Sequence, residues 1–122
     1  MNIAMIQVNT VDLSERALDW AVLKARGVTA MPEEHRGELS WDHIRPYSSD
    51  WSSCEKLVKE LGISLWTDDG KNWFAKALDS TRAKLCHAMT PEQAICLVYV
   101  RIKMGDVIEV PVSALTNKGD VK

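Results

Sequence analysis

The chain has 122 residues, 46% of them apolar and 26% charged, with a net charge of −2. That is the size of one domain with its own core and the composition of a folded chain rather than a disordered one. No apolar stretch approaches the roughly 20 residues of a membrane helix, and a slightly acidic chain argues against duplex nucleic acid as the main partner.

Residues 3–8 are a short apolar run and predict a first strand. Asp12-Leu13-Ser14-Glu15 reads as a capping box, in which Asp12 accepts from a backbone N–H and Glu15 reaches back. Behind it Leu13, Ala17, Trp20, Ala21 and Lys24 share one face at helical spacing, with Leu18 and Val22 beside them, and Gly27 is the stop. Residues 28–46 carry two prolines, a glycine, two histidines and a charged tract without periodicity, so they predict a long surface excursion with a short strand near 39–41.

Ser48, Ser49 and Asp50 offer caps for a second helix over about 51–61, with Leu57, Val58 and Leu61 inward and Gly62 as its stop. Residues 63–67 alternate, Asp68-Asp69-Gly70 signals a hairpin turn, and 72–78 is the returning strand. Trp66 and Trp73 are therefore expected in facing strands, within reach of a direct or diagonal contact. Residues 79–89 are compatible with either loop or strand. Thr90-Pro91-Glu92-Gln93 is a strong helix start that predicts a third helix to about Met104, with Ile95, Val98, Tyr99 and Ile102 on one side and Gly105 after it. A last short strand over 107–110 precedes Pro111, and a polar tail starts at Thr116. The expected architecture is α+β: three helices packed on a small, mostly antiparallel sheet in a single domain over 1–115, with 116–122 as tail.

Charge is spread unevenly. Residues 10–70 hold 12 acids against 7 bases, whereas residues 71–103 hold 6 bases against 2 acids. The basic half would suit an anionic partner, but Lys and Arg at solvent-facing positions are the reading placed ahead of it. Cys54, Cys86 and Cys96 have no zinc-ligand spacing, and no secretory leader is read ahead of them, so reduced thiols in a cytoplasmic protein are the expectation.

Five tryptophans are many for this length, and two stand in Asp-Trp doublets, at Asp19-Trp20 and Asp50-Trp51. Trp41-Asp42 repeats the pair in reverse. Trp brings a large apolar face and one N–H that needs an acceptor when buried, so such a doublet can lock a core or line a site.

The run Leu18-Asp19-Trp20-Ala21-Val22, after a Ser/Thr/Asp-rich cap, resembles the opening signature of the phage NinX-like family. These are short proteins of unknown function from tailed phages and prophages of enteric bacteria. Tyr47-Ser48-Ser49-Asp50-Trp51 is similar to the family's central Tyr-Ser-x-x-Asp-Trp segment, shorter by one residue. Gly62-Ile63-Ser64-Leu65 followed by Trp73 resembles its strand pair, and the Thr90-Pro91 helix closing on Gly105-Asp106-Val107-Ile108-Glu109-Val110-Pro111 resembles its C-terminal segment. The likeness runs from about Val8 to Pro111. One departure is clear: where the family carries a Gly-Gly-Pro run after Asp-Trp, this chain has Ser52-Ser53-Cys54-Glu55. The resemblance implies a phage or prophage origin and a bacterial cytoplasm; it implies no activity.

Catalytic chemistry finds little support. His87 neighbours Cys86, but adjacent strand residues point to opposite faces. His35 and His43 lack a third ligand, and Glu33-Glu34 and Asp68-Asp69 sit where turns favour acids. No phosphate-loop, dinucleotide or nucleophile-elbow motif occurs, so no catalytic residue, metal or cofactor is expected. Trp20 reads as core, and Trp66 or Trp73 as core too. Trp41, Tyr47, Ser48, Ser49, Asp50 and Trp51 read as a candidate binding surface, with helical capping plus one buried Trp as the equally good structural account. The expected function is a non-enzymatic phage accessory protein that binds a host or phage protein, with a homodimer as one assembly. Sequestration of a small nucleotide-like molecule comes second, and an enzyme without a recognisable motif third.

Overall fold

The third helix, α3 (Pro91–Met104), is the axis of the molecule, and its sequence explains why. Seven consecutive residues, Ala94 to Val100, are buried, and a helix buried all round must be wrapped by other elements. Its start is closed as the sequence predicts: Thr90 Oγ1 accepts from the Gln93 N–H at 3.2 Å, and Pro91 occupies the first turn, where its missing N–H costs nothing. The computed structural model describes residues 4–27, 33–35, 38–40, 46–79 and 82–115. Within them the order is β1 (Met5–Asn9), α1 (Glu15–Ala25), β2 (Glu33–His35), β3 (Glu38–Ser40), α2 (Trp51–Leu61), β4 (Ser64–Thr67), β5 (Trp73–Asp79), β6 (Arg82–Ala88), α3 and β7 (Val107–Pro111). The fold is α+β, with three helices and small antiparallel sheets.

Three layers close on α3. One face meets a three-stranded sheet in the order β4-β5-β6, and α1 and α2 cover the others. The sheet's inner face is built from small residues, Ala75, Ala77 and Cys86, all buried, which lets the helix approach closely. β1 and β7 form a separate ribbon, with Ile6 opposite Val110 and Val8 opposite Ile108. Ile108 and Val110 turn into the core. The polar tail expected from Thr116 lies outside the described residues.

The first helix buries the face its spacing predicts, Leu13, Ala17, Leu18, Trp20, Ala21 and Val22. Its start differs. Asp12 does not cap it; residues 10–12 form a 3₁₀ turn, and Ser14 is the N-cap. The cause is a tether to the far end of the chain: Thr10 Oγ1 donates to Gly105 O at 2.7 Å, and the Thr10 N–H donates to Asp106 O at 2.8 Å. With Thr10 held there, the chain makes a tight turn before the helix opens.

Three further segments are sharpened or corrected by the structure. The excursion over 28–46 holds the short strand expected near 39–41 as β3, and it is paired with a strand that was not expected, β2, with Glu33 opposite Ser40 and His35 opposite Glu38. Residues 82–88, which the sequence leaves open between loop and strand, form the strand β6. Trp66 pairs with Phe74 and Trp73 with Thr67, so the two tryptophans lie on opposite faces of the sheet. The register is set by the turn: Asp69 Oδ1 accepts from the Lys71 and Asn72 N–H groups at 2.8 and 2.9 Å, and Thr67 Oγ1 donates to Asn72 O at 2.7 Å. The Asn72 and Lys71 bonds hold the Asp69 carboxyl below its ordinary range, and together with the Thr67 bond they lengthen the connection so that Thr67, not Trp66, faces Trp73.

A polar cluster around Glu60 ties α2 to α3. The Tyr99 hydroxyl donates to Glu60 Oε2 at 2.7 Å, and Lys103 Nζ and Arg26 Nη1 stand 3.3 and 4.0 Å from the same carboxylate. The Tyr99 hydrogen bond, helped by the Lys103 and Arg26 charges, holds the Glu60 carboxyl below its usual value, while burial and the bond to Glu60 push the Tyr99 phenol up. Glu60 is part-exposed, so Tyr99→Phe should cost only about 1 kcal/mol. A depressed carboxyl contributes its stability above its unfolded value and loses it as pH falls through the folded one. Thermal melts should therefore show the Tyr99→Phe deficit in full near neutral pH and shrinking below about pH 4; a deficit independent of pH would rule out the Glu60 contact as its source.

Candidate functional site

Residues 47–51 connect the first half of the chain to α2, and each has a distinct place. Tyr47, Ser48 and Ser49 form a 3₁₀ turn directly ahead of the helix. Tyr47 is buried in the core, and its carbonyl accepts from Cys54 Sγ at 3.0 Å. The Ser48 N–H donates to Asp19 Oδ1 at 2.7 Å, which ties the turn to α1. Ser49 is exposed, its N–H donating to Pro46 O at 3.1 Å.

Asp50 is the N-cap residue of α2. Its carboxylate accepts from the Ser53 hydroxyl and, at 3.2 and 3.3 Å, from that of Ser52. Its carbonyl accepts the Cys54 N–H at 3.2 Å. The Ser52-Ser53-Cys54 run is thus engaged with the turn: two hydroxyls hold Asp50 and the thiol holds Tyr47. Cys54 Sγ also lies 3.9 Å from Cys96 Sγ. The hydrogen bond with Cys54 and burial push the Cys96 thiol far above its ordinary value, so it stays protonated.

Trp51 opens α2 and is 44% exposed. Of the six residues singled out in the sequence, Ser49 and Trp51 reach the surface, Ser48 and Asp50 are half-buried beside them, Tyr47 lies beneath, and Trp41 is outside the described residues. The two Asp-Trp doublets work in opposite senses. In the first, Trp20 is buried and Asp19 holds the 47–49 turn; in the second, Asp50 is held by serines and Trp51 faces solvent.

The electrostatics of this surface limit what it can hold. A helix start attracts anions, because its first N–H groups have no partner within the helix and the dipole points its positive end there. The Asp50 carboxylate already stands there and complements the helix dipole, so a phosphate would meet a like charge. A neutral or cationic group against the Trp51 ring meets no such opposition.

No family model matches the chain, and no curated protein matches it. The chemistry is accordingly read from the residues themselves. Cys86 and His87 lie on opposite faces of β6, the thiol buried and the imidazole exposed, and burial pushes the Cys86 thiol up, which suits a packed side chain. Among the described residues no group of three or more His, Cys, Asp or Glu side chains could hold a metal. No helix among them is long and apolar enough to cross a membrane. An open cleft beside β1, lined by Gln7, Val8, Asn9, Asp12, Leu13 and Val107, contains none of the six candidate binding residues.

Sequence reasoning missed a second surface. On the outer face of the three-stranded sheet, Trp66, Phe74 and His87 occupy one row across β4, β5 and β6. The Trp66 and Phe74 rings are near parallel, with centroids 5.7 Å apart, and Phe74 and His87 are tilted at 5.9 Å. The signal that could have found it was the turn: counting the extra residues that Asp69 ties into the connection pairs Trp66 with Phe74.

Proposed function

We propose that this chain is a non-enzymatic accessory protein of a phage or prophage that binds a host or phage protein in the bacterial cytoplasm, with Trp51 as the anchor of the contact. The observation that carries the reading is a large aromatic side chain, 44% exposed, on a helix start held from three sides by Asp19, the Ser52 and Ser53 hydroxyls and Cys54. Rigid aromatic anchors dominate protein interfaces because little conformational entropy is lost when they bind. The family resemblance supports the origin, since two of its segments, around Trp20 and Trp51, meet in this clamp. The nucleotide-like ligand ranks below a protein here because Asp50 opposes a phosphate.

The test is retention of proteins from lysate of phage-infected enteric bacteria on immobilised wild type and Trp51→Ala. We expect a protein retained by the wild type and reduced at least tenfold on Trp51→Ala, with both chains melting within about 2 °C of each other, as surface substitutions do. Equal retention on both, or a co-purifying mass of a few hundred daltons in native mass spectrometry, would overturn the reading.

A further inference from the structure

From a different surface, the outer face of the β4-β5-β6 sheet, we infer that the protein binds single-stranded nucleic acid by stacking bases on the Trp66–Phe74–His87 row. The row is made by register: Trp66 opposite Phe74, and Phe74 opposite His87, so three π systems stand side by side across three strands. Trp66 is 37% exposed and His87 is exposed, with Phe74 half-buried between them. A sheet face bearing adjacent aromatic rings is a base-stacking platform, because every base offers a π face whatever its hydrogen-bonding edge.

Charge selects this occupant. The next row of the same face is Ser64, Lys76 and Leu85, two residues along from the rings on each strand, a step of about 7 Å that matches the reach from base to backbone phosphate. Lys76 is exposed and carries no ion pair among the described residues, and the same holds for Lys71 in the turn. Two bases beside this sheet are engaged elsewhere: Arg101 and Lys84 pair with Asp106 at 2.7 and 3.8 Å, and Arg101 also donates to Leu85 O. Asp68 and Asp69 lie in the β4–β5 turn, at the end of the strands away from Lys76. The phosphates therefore run over Lys76 and away from the turn. An apolar protein surface would cover Leu85 and Met89, but it would leave the unpaired Lys76 without a partner in the middle of the patch.

The experiment is fluorescence anisotropy of labelled twelve-residue oligodeoxythymidylate and oligouridylate, with duplex DNA as control, at low and moderate salt. Wild type is expected to bind one or both single strands more tightly than duplex, and which of the two binds tighter separates DNA from RNA as the source. Trp66→Ala should weaken binding roughly five- to a hundredfold, the range for losing one stacked base. Trp66→Phe should keep most of the affinity, whereas Trp66→Leu, apolar but without a π face, should lose as much as alanine. Lys76→Ala should reduce the slope of log affinity against log salt by about 0.7. Trp51→Ala should bind as wild type, which separates this proposal from the protein-binding reading. Failure of the folded wild type to bind at low salt, equal affinity for duplex, or full retention in Trp66→Leu would each overturn it, the last pointing to a protein on this face instead.

Discussion

Replacing Trp20 by alanine is expected to lower the unfolding free energy by about 3–5 kcal/mol, the cost of emptying a large aromatic site in a packed core. In a chain of this size that corresponds to a fall of about 10–20 °C in the melting temperature. Trp20 is 2% exposed, among Ala17, Leu18 and Ala21 of its own helix and the α3 core. Lys24, one turn on, lies with its Nζ 5.1 Å from the ring centroid, so its stem covers the ring and its charge adds a cation–π attraction. Trp51→Ala should change stability by less than about 0.5 kcal/mol, as an exposed position does. Urea unfolding of the two variants therefore sorts the doublets by role. A Trp20→Ala deficit under 1 kcal/mol would show that the ring is not packed as described, and a deficit above 2 kcal/mol in Trp51→Ala would make that ring structural rather than an anchor.

What was legible in the sequence is what depends on neighbours along the chain. The Thr90 cap, Pro91 and the stops at Gly27 and Gly62, with φ of 86° and 66°, are local chemistry. The apolar face of α1 follows from spacing alone. α3 was legible only in part, because Ile95, Val98 and Tyr99 form a stripe while Ala94, Cys96, Leu97 and Val100 are buried equally. A small protein that wraps two helices and a sheet around one helix removes the polar face by which amphipathicity is recognised.

Features made by distant partners were hidden. Thr10 moves the start of α1 through bonds to residues about 95 positions away, and no local pattern reveals that. The aromatic row depends on a shift of one position in register, and such a shift moves every side chain of a strand to the other face. At the candidate site the sequence found the segment but not its division of labour. Trp51 and Ser49 reach solvent only because Tyr47 turns inward and Asp19, 29 positions earlier, takes the Ser48 N–H.

That last bond makes a prediction joining stability to function. Asp19→Ala leaves the part-buried Ser48 N–H without its acceptor, and an unsatisfied buried donor costs about 1–3 kcal/mol. Asp19→Asn keeps an oxygen in reach but loses the charge, so it should cost less than alanine, because a charged acceptor makes roughly twice as strong a bond as a neutral one. The same bond ties α1 to the turn that presents Trp51. If that presentation matters, Asp19→Ala should also weaken Trp51-dependent partner retention at a temperature where the variant is fully folded, and Asp19→Asn should fall between it and the wild type. Stability lost in that order with retention unchanged would mean the clamp serves the fold alone and Trp51 needs no support from it. A deficit equal in the two variants would instead make the charge of Asp19 the whole of its contribution, since the neutral acceptor that asparagine keeps in the same place would then supply nothing.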